Sequence, residues 1–150
     1  IKLATSKESG DASVAVPKQF GDLVTFDSIF VVKKNSKASA RHGDTTAMVA
    51  RDRGTGWAPA YLAKSKSAEE IKVAAQEFVG SDSVKLWYSD GAPELHALCR
   101  EMGIRHDKSD PHRSETNGVI ERTSRTVLEG TRTLSFQSGL PYKYWRMATR

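Results

Sequence analysis

Three acidic residues stand where carboxylates can do chemistry. Asp27 lies inside a strongly apolar β-type run, with Phe26 before it and Ile29-Phe30 just after. A carboxylate there is costly unless it is paired or bound to a metal. Asp90 ends the run Val84-Lys85-Leu86-Trp87-Tyr88 at Ser89-Asp90-Gly91, and the crevice of an α/β sheet opens at such strand ends. Glu121 stands in the first turn of a helical stretch that begins at Val119, after the polar loop Pro111 to Gly118. Asn117-Gly118 reads as the turn that launches this helix. Each acid has a plain account of its own. An Asp after a strand is a common turn former, and a Glu in a first helical turn complements the helix dipole by roughly 0.3–1 kcal/mol. Converging, the three make an oxygen-ligand set suited to Mg²⁺ or Mn²⁺. Two such ions bridging one phosphodiester can activate the attacking oxygen and stabilise the leaving one.

Basic residues follow Glu121 closely. Arg122, Arg125, Glu129 and Arg132 step by three and four along one helical face. Arg122 and Arg125 are candidate phosphate contacts, an interaction independent of base sequence and sensitive to salt. Their plainer account is a solvated face carrying a Glu121–Arg125 pair worth only ~0.2–0.5 kcal/mol. Asn117 and Gly118, with the rest of the loop 109–118, are candidate contacts of the same kind. His106 and His112 border that loop and read as surface histidines that could reach DNA.

The elements that must position these residues follow from periodicity. The apolar run from Phe20 to Val32, then Thr45 to Arg51, then Trp57 to Ala63 read as three strands joined by turns, an antiparallel meander. Pro59 demotes the third to an edge. Ser67 or Ala68 opens a helix whose buried face is Ile71, Ala74, Ala75, Phe78 and Val79, closed by Gly80. A fourth strand over Val84 to Tyr88, a short helix over Pro93 to Met102 with Leu95, Leu98 and Cys99 inward, and a fifth strand at Ile104 to His106 follow. The long helix repeats Ile120, Val127 and Leu134 every seven residues, with Thr123 and Thr131 as small fillers on the same side. Gly139 to Tyr142 starts a last helix containing Trp145, and Trp87 and Trp145 read as core while Trp57 is partly exposed. The order βββαβαβαα specifies an α/β protein with a mixed sheet, meander first and crossovers after, flanked by helices.

Composition narrows the partners. The 150 residues suit one domain with a real core, and residues 1–19, rich in Ser, Lys, Ala and Gly, read as a linker or arm before a domain over 20–150. The net charge of +5 is uneven: residues 1–67 carry +5, residues 68–96 carry −4 and residues 97–150 carry +4. Basic blocks flanking an acidic one suit a protein that holds a polyanion at its edges and cations at its centre; solvated faces are the alternative. A single cysteine, Cys99, gives no internal disulfide and no cysteine-based zinc site. No apolar run approaches the ~20 residues that span a bilayer, so no membrane partner is expected. The chain starts without Met and ends inside an apparent helix, so a piece of a longer polyprotein with a truncated last helix is expected.

Three stretches carry a family resemblance. Phe20-Gly21-Asp22-Leu23-Val24-Thr25-Phe26-Asp27, Tyr88-Ser89-Asp90-Gly91-Ala92-Pro93-Glu94-Leu95 and Asn117-Gly118-Val119-Ile120-Glu121-Arg122 resemble the three signatures of a retroviral-type integrase catalytic core. The block Pro111 to Leu128 is most similar to integrases of LTR retrotransposons of the copia-like kind. The resemblance implies an RNase H-like fold with a five-stranded mixed sheet. It implies Asp27, Asp90 and Glu121 as catalytic acids holding two Mg²⁺ (or Mn²⁺) ions. It implies insertion of element DNA into target DNA by attack of a 3′-hydroxyl on a phosphodiester, double-stranded DNA as partner, a homo-oligomer in the assembled complex and a nuclear site of action. Two departures stand out: thirty residues separate Asp90 from Glu121, fewer than the family usually carries, and Gly91 follows Asp90 directly where the family usually has Asn. The amino-terminal His/Cys zinc module of full-length integrases has no counterpart in these residues. A nuclease of the same fold using only water, and a decayed copy that binds DNA without catalysis, are the alternatives.

Overall fold

The computed structural model describes residues 16–32, 43–108 and 114–149, and the side chains of all of these but 114–117. Most of the expected arm, the turn after Val32 and the loop residues 109–113, His112 among them, lie outside the described residues. Strands β1 (Val24–Phe30), β2 (Thr46–Asp52) and β3 (Ala60–Ala63) form the expected meander. Strand β4 (Leu86–Ser89) then pairs parallel to β1, and β5 (Arg105–Lys108) parallel to β4. The order across the sheet is β3-β2-β1-β4-β5, so β1 is central and β3 lies at an edge, where Pro59 can precede it without breaking a ladder.

Alternation along β1 sends its side chains to two different cores. Val24 and Phe26 join Met48, Phe78, Trp87 and Leu98 on the face covered by α1 (Ala68–Val79) and α2 (Pro93–Glu101). Ile29 joins Ala47, Val49, Ile120 and Trp145 on the face covered by α3 (Ser114–Gln137) and a closing 3₁₀ helix, Tyr142–Ala148. Trp87 and Trp145 are fully buried, each worth more than the roughly 1.5–3 kcal/mol of a buried Leu or Phe. Cys99 is buried against α1, and burial pushes its thiol up to about 11. Ser67 caps α1, its hydroxyl accepting from Glu70 N–H at 3.4 Å, and Gly80 terminates it by donating to Gln76 carbonyl.

Several boundaries differ from the sequence expectation. The long helix begins at Ser114, so Asn117-Gly118 lies within α3 and makes no turn. A helical Gly costs about 1 kcal/mol against Ala, which packing of the following turns offsets. Glu121 is therefore well inside α3, beyond reach of the dipole at its first turn. Leu134 is exposed: the seven-residue stripe drifts off the buried face, as a 3.6-residue period requires, and Thr131 is the last fully buried side chain on α3. The last helix is 3₁₀ rather than α.

The turn before β1 is built for shape. Gly21 has φ 81°, and a Cβ there would meet Ser83 carbonyl oxygen at 2.1 Å, so only glycine fits. Its N–H donates to the fully buried Asp52 at 3.0 Å, while Asp52 also accepts from Thr55 N–H at 2.7 Å and from the Thr55 hydroxyl at 2.6 Å. Asp22 accepts from Lys85 Nζ at 2.7 Å and from two backbone N–H groups, which hold its carboxyl well below the usual range.

Candidate active site

Asp27 sits on the α3 face of the central strand, half-buried. Its Oδ1 accepts from Ser28 N–H at 2.7 Å, and its Oδ2 accepts from the buried Ser124 hydroxyl of α3 at 3.1 Å. The carboxylate is thus tethered to the helix that carries Glu121. Parallel pairing sets Val24 beside Trp87 and Thr25 beside Tyr88. Asp90 follows two residues after Tyr88, beyond the end of β4.

Asp90 is exposed, immediately beyond β4, and accepts from Ala92 N–H at 3.3 Å. Gly91, at φ 81°, takes the left-handed turn that opens toward α2. This turn is pinned from below: the buried Ser89 hydroxyl accepts from Gly91 N–H at 3.4 Å and lies 2.8 Å from His106 Nε2 on β5. Burial, and then the neighbouring His96 and Lys108, lower the His106 pKa from 6.5. His106 is accordingly a half-buried support of the Asp90 turn rather than a surface residue.

Glu121 is exposed on α3, one turn before Ser124. Asp27 lies within β1, Asp90 directly after β4 and Glu121 on α3, and the three acids do not close up. Among the described residues no three His, Cys, Asp or Glu side chains form a group that could hold a metal ion. The donor chemistry of the three carboxylates fits a hard cation. Arg122 and Arg125 are exposed beside it, without the Glu121–Arg125 ion pair. Gly118 is half-buried in α3, and the side chain of Asn117 lies outside the described ones. Asp44, buried, pairs with Arg146 at 2.7 Å, and Asp52 is consumed by its turn, so neither is free to act as a fourth acid.

The sequence reading missed Ser124. The signal was present: Ile120, Thr123, Ser124, Val127 and Thr131 follow the spacing of a buried helical face, and a serine on such a face needs a partner.

The overall geometry has counterparts among solved structures. The catalytic core domain of BIV integrase superposes with a TM-score of 0.59 over 85% of this chain and 79% of that one, at 16% identity. A chain of the simian T-cell lymphotropic virus intasome in complex with PP2A regulatory subunit B56 gamma gives 0.68 over 99% of this chain and 53% of that one, at 15% identity. This chain has the fold of a retroviral integrase catalytic core. Sequence comparison finds Pol polyproteins. They include the retrovirus-related Pol polyprotein from transposon TNT 1-94 of Nicotiana tabacum, 37% identical over 57 residues, or 38% of this chain. The retrovirus-related Pol polyprotein from transposon RE1 of Arabidopsis thaliana is 38% identical over 65 residues, or 41% of this chain. The Pol polyprotein of feline endogenous virus ECE1 is 28% identical over 102 residues, or 63% of this chain. The chain spans 4% of the length of each plant polyprotein and 10% of the feline one. No family model matches it. No helix among the described residues is long and apolar enough to cross a membrane.

Proposed function

We propose that this chain is the catalytic core of a retrotransposon integrase, a polynucleotidyl transferase that inserts element DNA into double-stranded target DNA. The half-buried Asp27 on central β1, held by Ser124 of α3 in a chain with the fold of an integrase core, is the observation that carries this reading. In the proposed reaction the 3′-oxygen of an element end forms a bond to a target phosphorus. The bond from that phosphorus to the target strand's own 3′-oxygen breaks, and the attacking hydroxyl gives up its proton while the departing oxygen gains one. The proposed cofactor is a pair of Mg²⁺ or Mn²⁺ ions, which when bound supply Lewis-acid stabilisation of charge on the phosphoryl oxygens. Asp27, Asp90 and Glu121 are the residues assigned to hold them. Ser124 orients Asp27, the Ser89–His106 contact steadies the Asp90 turn, and Arg122 and Arg125 bind flanking phosphates. Asn117 and Gly118, at the start of α3, are assigned to the DNA end. Work on chromosomal DNA implies a homo-oligomer that holds two element ends, acting in the nucleus.

A second reading, a DNA-binding relic without catalysis, is favoured by the lack, among the described residues, of three acids grouped closely enough to hold a metal ion. Labelled duplex carrying an element end, incubated with the chain and plasmid in Mn²⁺, decides among the readings. Joined product that disappears in Asp27→Asn and Glu121→Gln is the expected result. Nicking without joining supports a water-using nuclease, and binding with neither product supports the relic.

A further inference from the structure

Arg51 has no role in the account so far. It sits near the end of β2, half-buried, and its Nη1 donates to the Thr123 hydroxyl of α3 at 3.3 Å. That hydroxyl donates in turn to Val119 carbonyl at 2.9 Å, so its oxygen is fixed in place to receive the guanidinium. On the other side Arg51 reaches under the β2–β3 turn, where a Cβ on Gly56 would lie 3.9 Å from Nη2. None of the ion pairs among the described residues includes Arg51 or Arg122. A guanidinium carries five N–H donors, and one hydroxyl leaves most of them unspent.

Those donors face a groove of about 240 Å³ between β2 and α3, lined by Arg51 and Arg122, by Thr123 and Thr126, and by the apolar Ala58, Val119 and Val127. Two cations and no acid line it. A site of this kind selects an anion, and planar guanidinium donors select an oxyanion such as phosphate. Its position says which one. Asp27 pairs with Val49, and Thr25 with Arg51, so Arg51 is the diagonal cross-strand neighbour of Asp27 on the same face, on the order of 7–8 Å away.

We infer that Arg51, held by Thr123 and assisted by Arg122, is a binding residue for a DNA backbone phosphate next to the phosphodiester at Asp27. The groove is then a second phosphate subsite on the β2 side of α3, and Thr123 is its positioning residue. This rests on the reading of the chain as a DNA-acting core.

Fluorescence anisotropy of a labelled duplex across a salt series tests it, with the complete chain and Arg51→Ala, Arg51→Lys, Thr123→Val and the Arg51→Ala/Thr123→Val double variant. Near-ultraviolet circular dichroism of buried Trp87 and Trp145 reports folding. Arg51→Ala is expected to bind roughly tenfold more weakly, with a slope of log affinity against log salt shallower by about one. Arg51→Lys keeps the slope and loses affinity. Thr123→Val weakens binding in the parent and adds nothing in the Arg51→Ala background. Unchanged affinity and slope in both folded Arg51 variants overturns the inference while leaving the integrase reading intact. Arg51-dependent binding of inorganic phosphate with unaltered DNA binding also overturns it, assigning the groove to a small anion. A parent chain that does not bind DNA removes both proposals. Arg51-dependent DNA binding without joining or nicking upholds the subsite and removes only the catalytic reading.

Discussion

At the residue scale, the stretch from Phe20 to Asp27 divides into chemistry and architecture. Asp27 faces α3 and is tethered by Ser124, whereas Gly21 and Asp22 build the turn that starts the strand. Asp52 is the acid that this turn depends on, since it satisfies the Gly21 N–H and both Thr55 donors. Asp52→Ala leaves the Gly21 donor buried and unpaired. We expect a loss of ~1–3 kcal/mol in urea unfolding, with far less loss for Asp52→Asn, which retains an acceptor.

His106 gives a prediction in pH. Its folded pKa is lowered from 6.5, first by burial, then by the charges of His96 and Lys108, against the opposing Asp107 and Asp90. Below 6.5 the unfolded chain binds more protons at this site than the folded one, so stability rises with pH. The contribution is therefore complete above 6.5 and is lost as pH falls through and below that value. Urea midpoints should drop on the acidic side of 6.5, and His106→Gln should flatten that drop while Asp90 and β5 remain in place.

At the element scale, secondary structure was legible wherever local chemistry and tertiary demand agreed. Ser67 and Gly80 bracket α1 because cap chemistry is local. Ser67→Ala should cost about 0.5–2 kcal/mol, measurable as a lower urea midpoint with unchanged slope. Pro59 marked the edge strand for an equally local reason. The start of α3 was not legible. Asn-Gly is a strong turn signal between strands, but nothing within the dipeptide reveals that helix continues on both sides of it. The contribution of Ser124 was hidden differently: its spacing was visible, but its partner lies 97 residues away, and only the strand register brings the two together. The parallel pairing of β1 with β4 has the same origin, since no local pattern encodes it.

At the scale of the whole molecule, the two faces of the sheet have different tasks. Helices α1 and α2, which hold most of the acidic middle segment, cover the larger core. The α3 face carries Asp27, Arg122, Arg125 and the Arg51 groove. The fold followed from element order, and the integrase resemblance from three short stretches, because both depend on sequence order and residue type. Closure of the three acids depends on distances of a few ångströms between elements far apart in the chain, and among the described residues no such group forms.

Calorimetric titration of Mg²⁺ and Mn²⁺ into the chain bound to a duplex DNA end tests the shared carboxylate site directly. The account predicts binding that is lost in both Asp27→Asn and Glu121→Gln. No binding with DNA present, or binding indifferent to both substitutions, would contradict it.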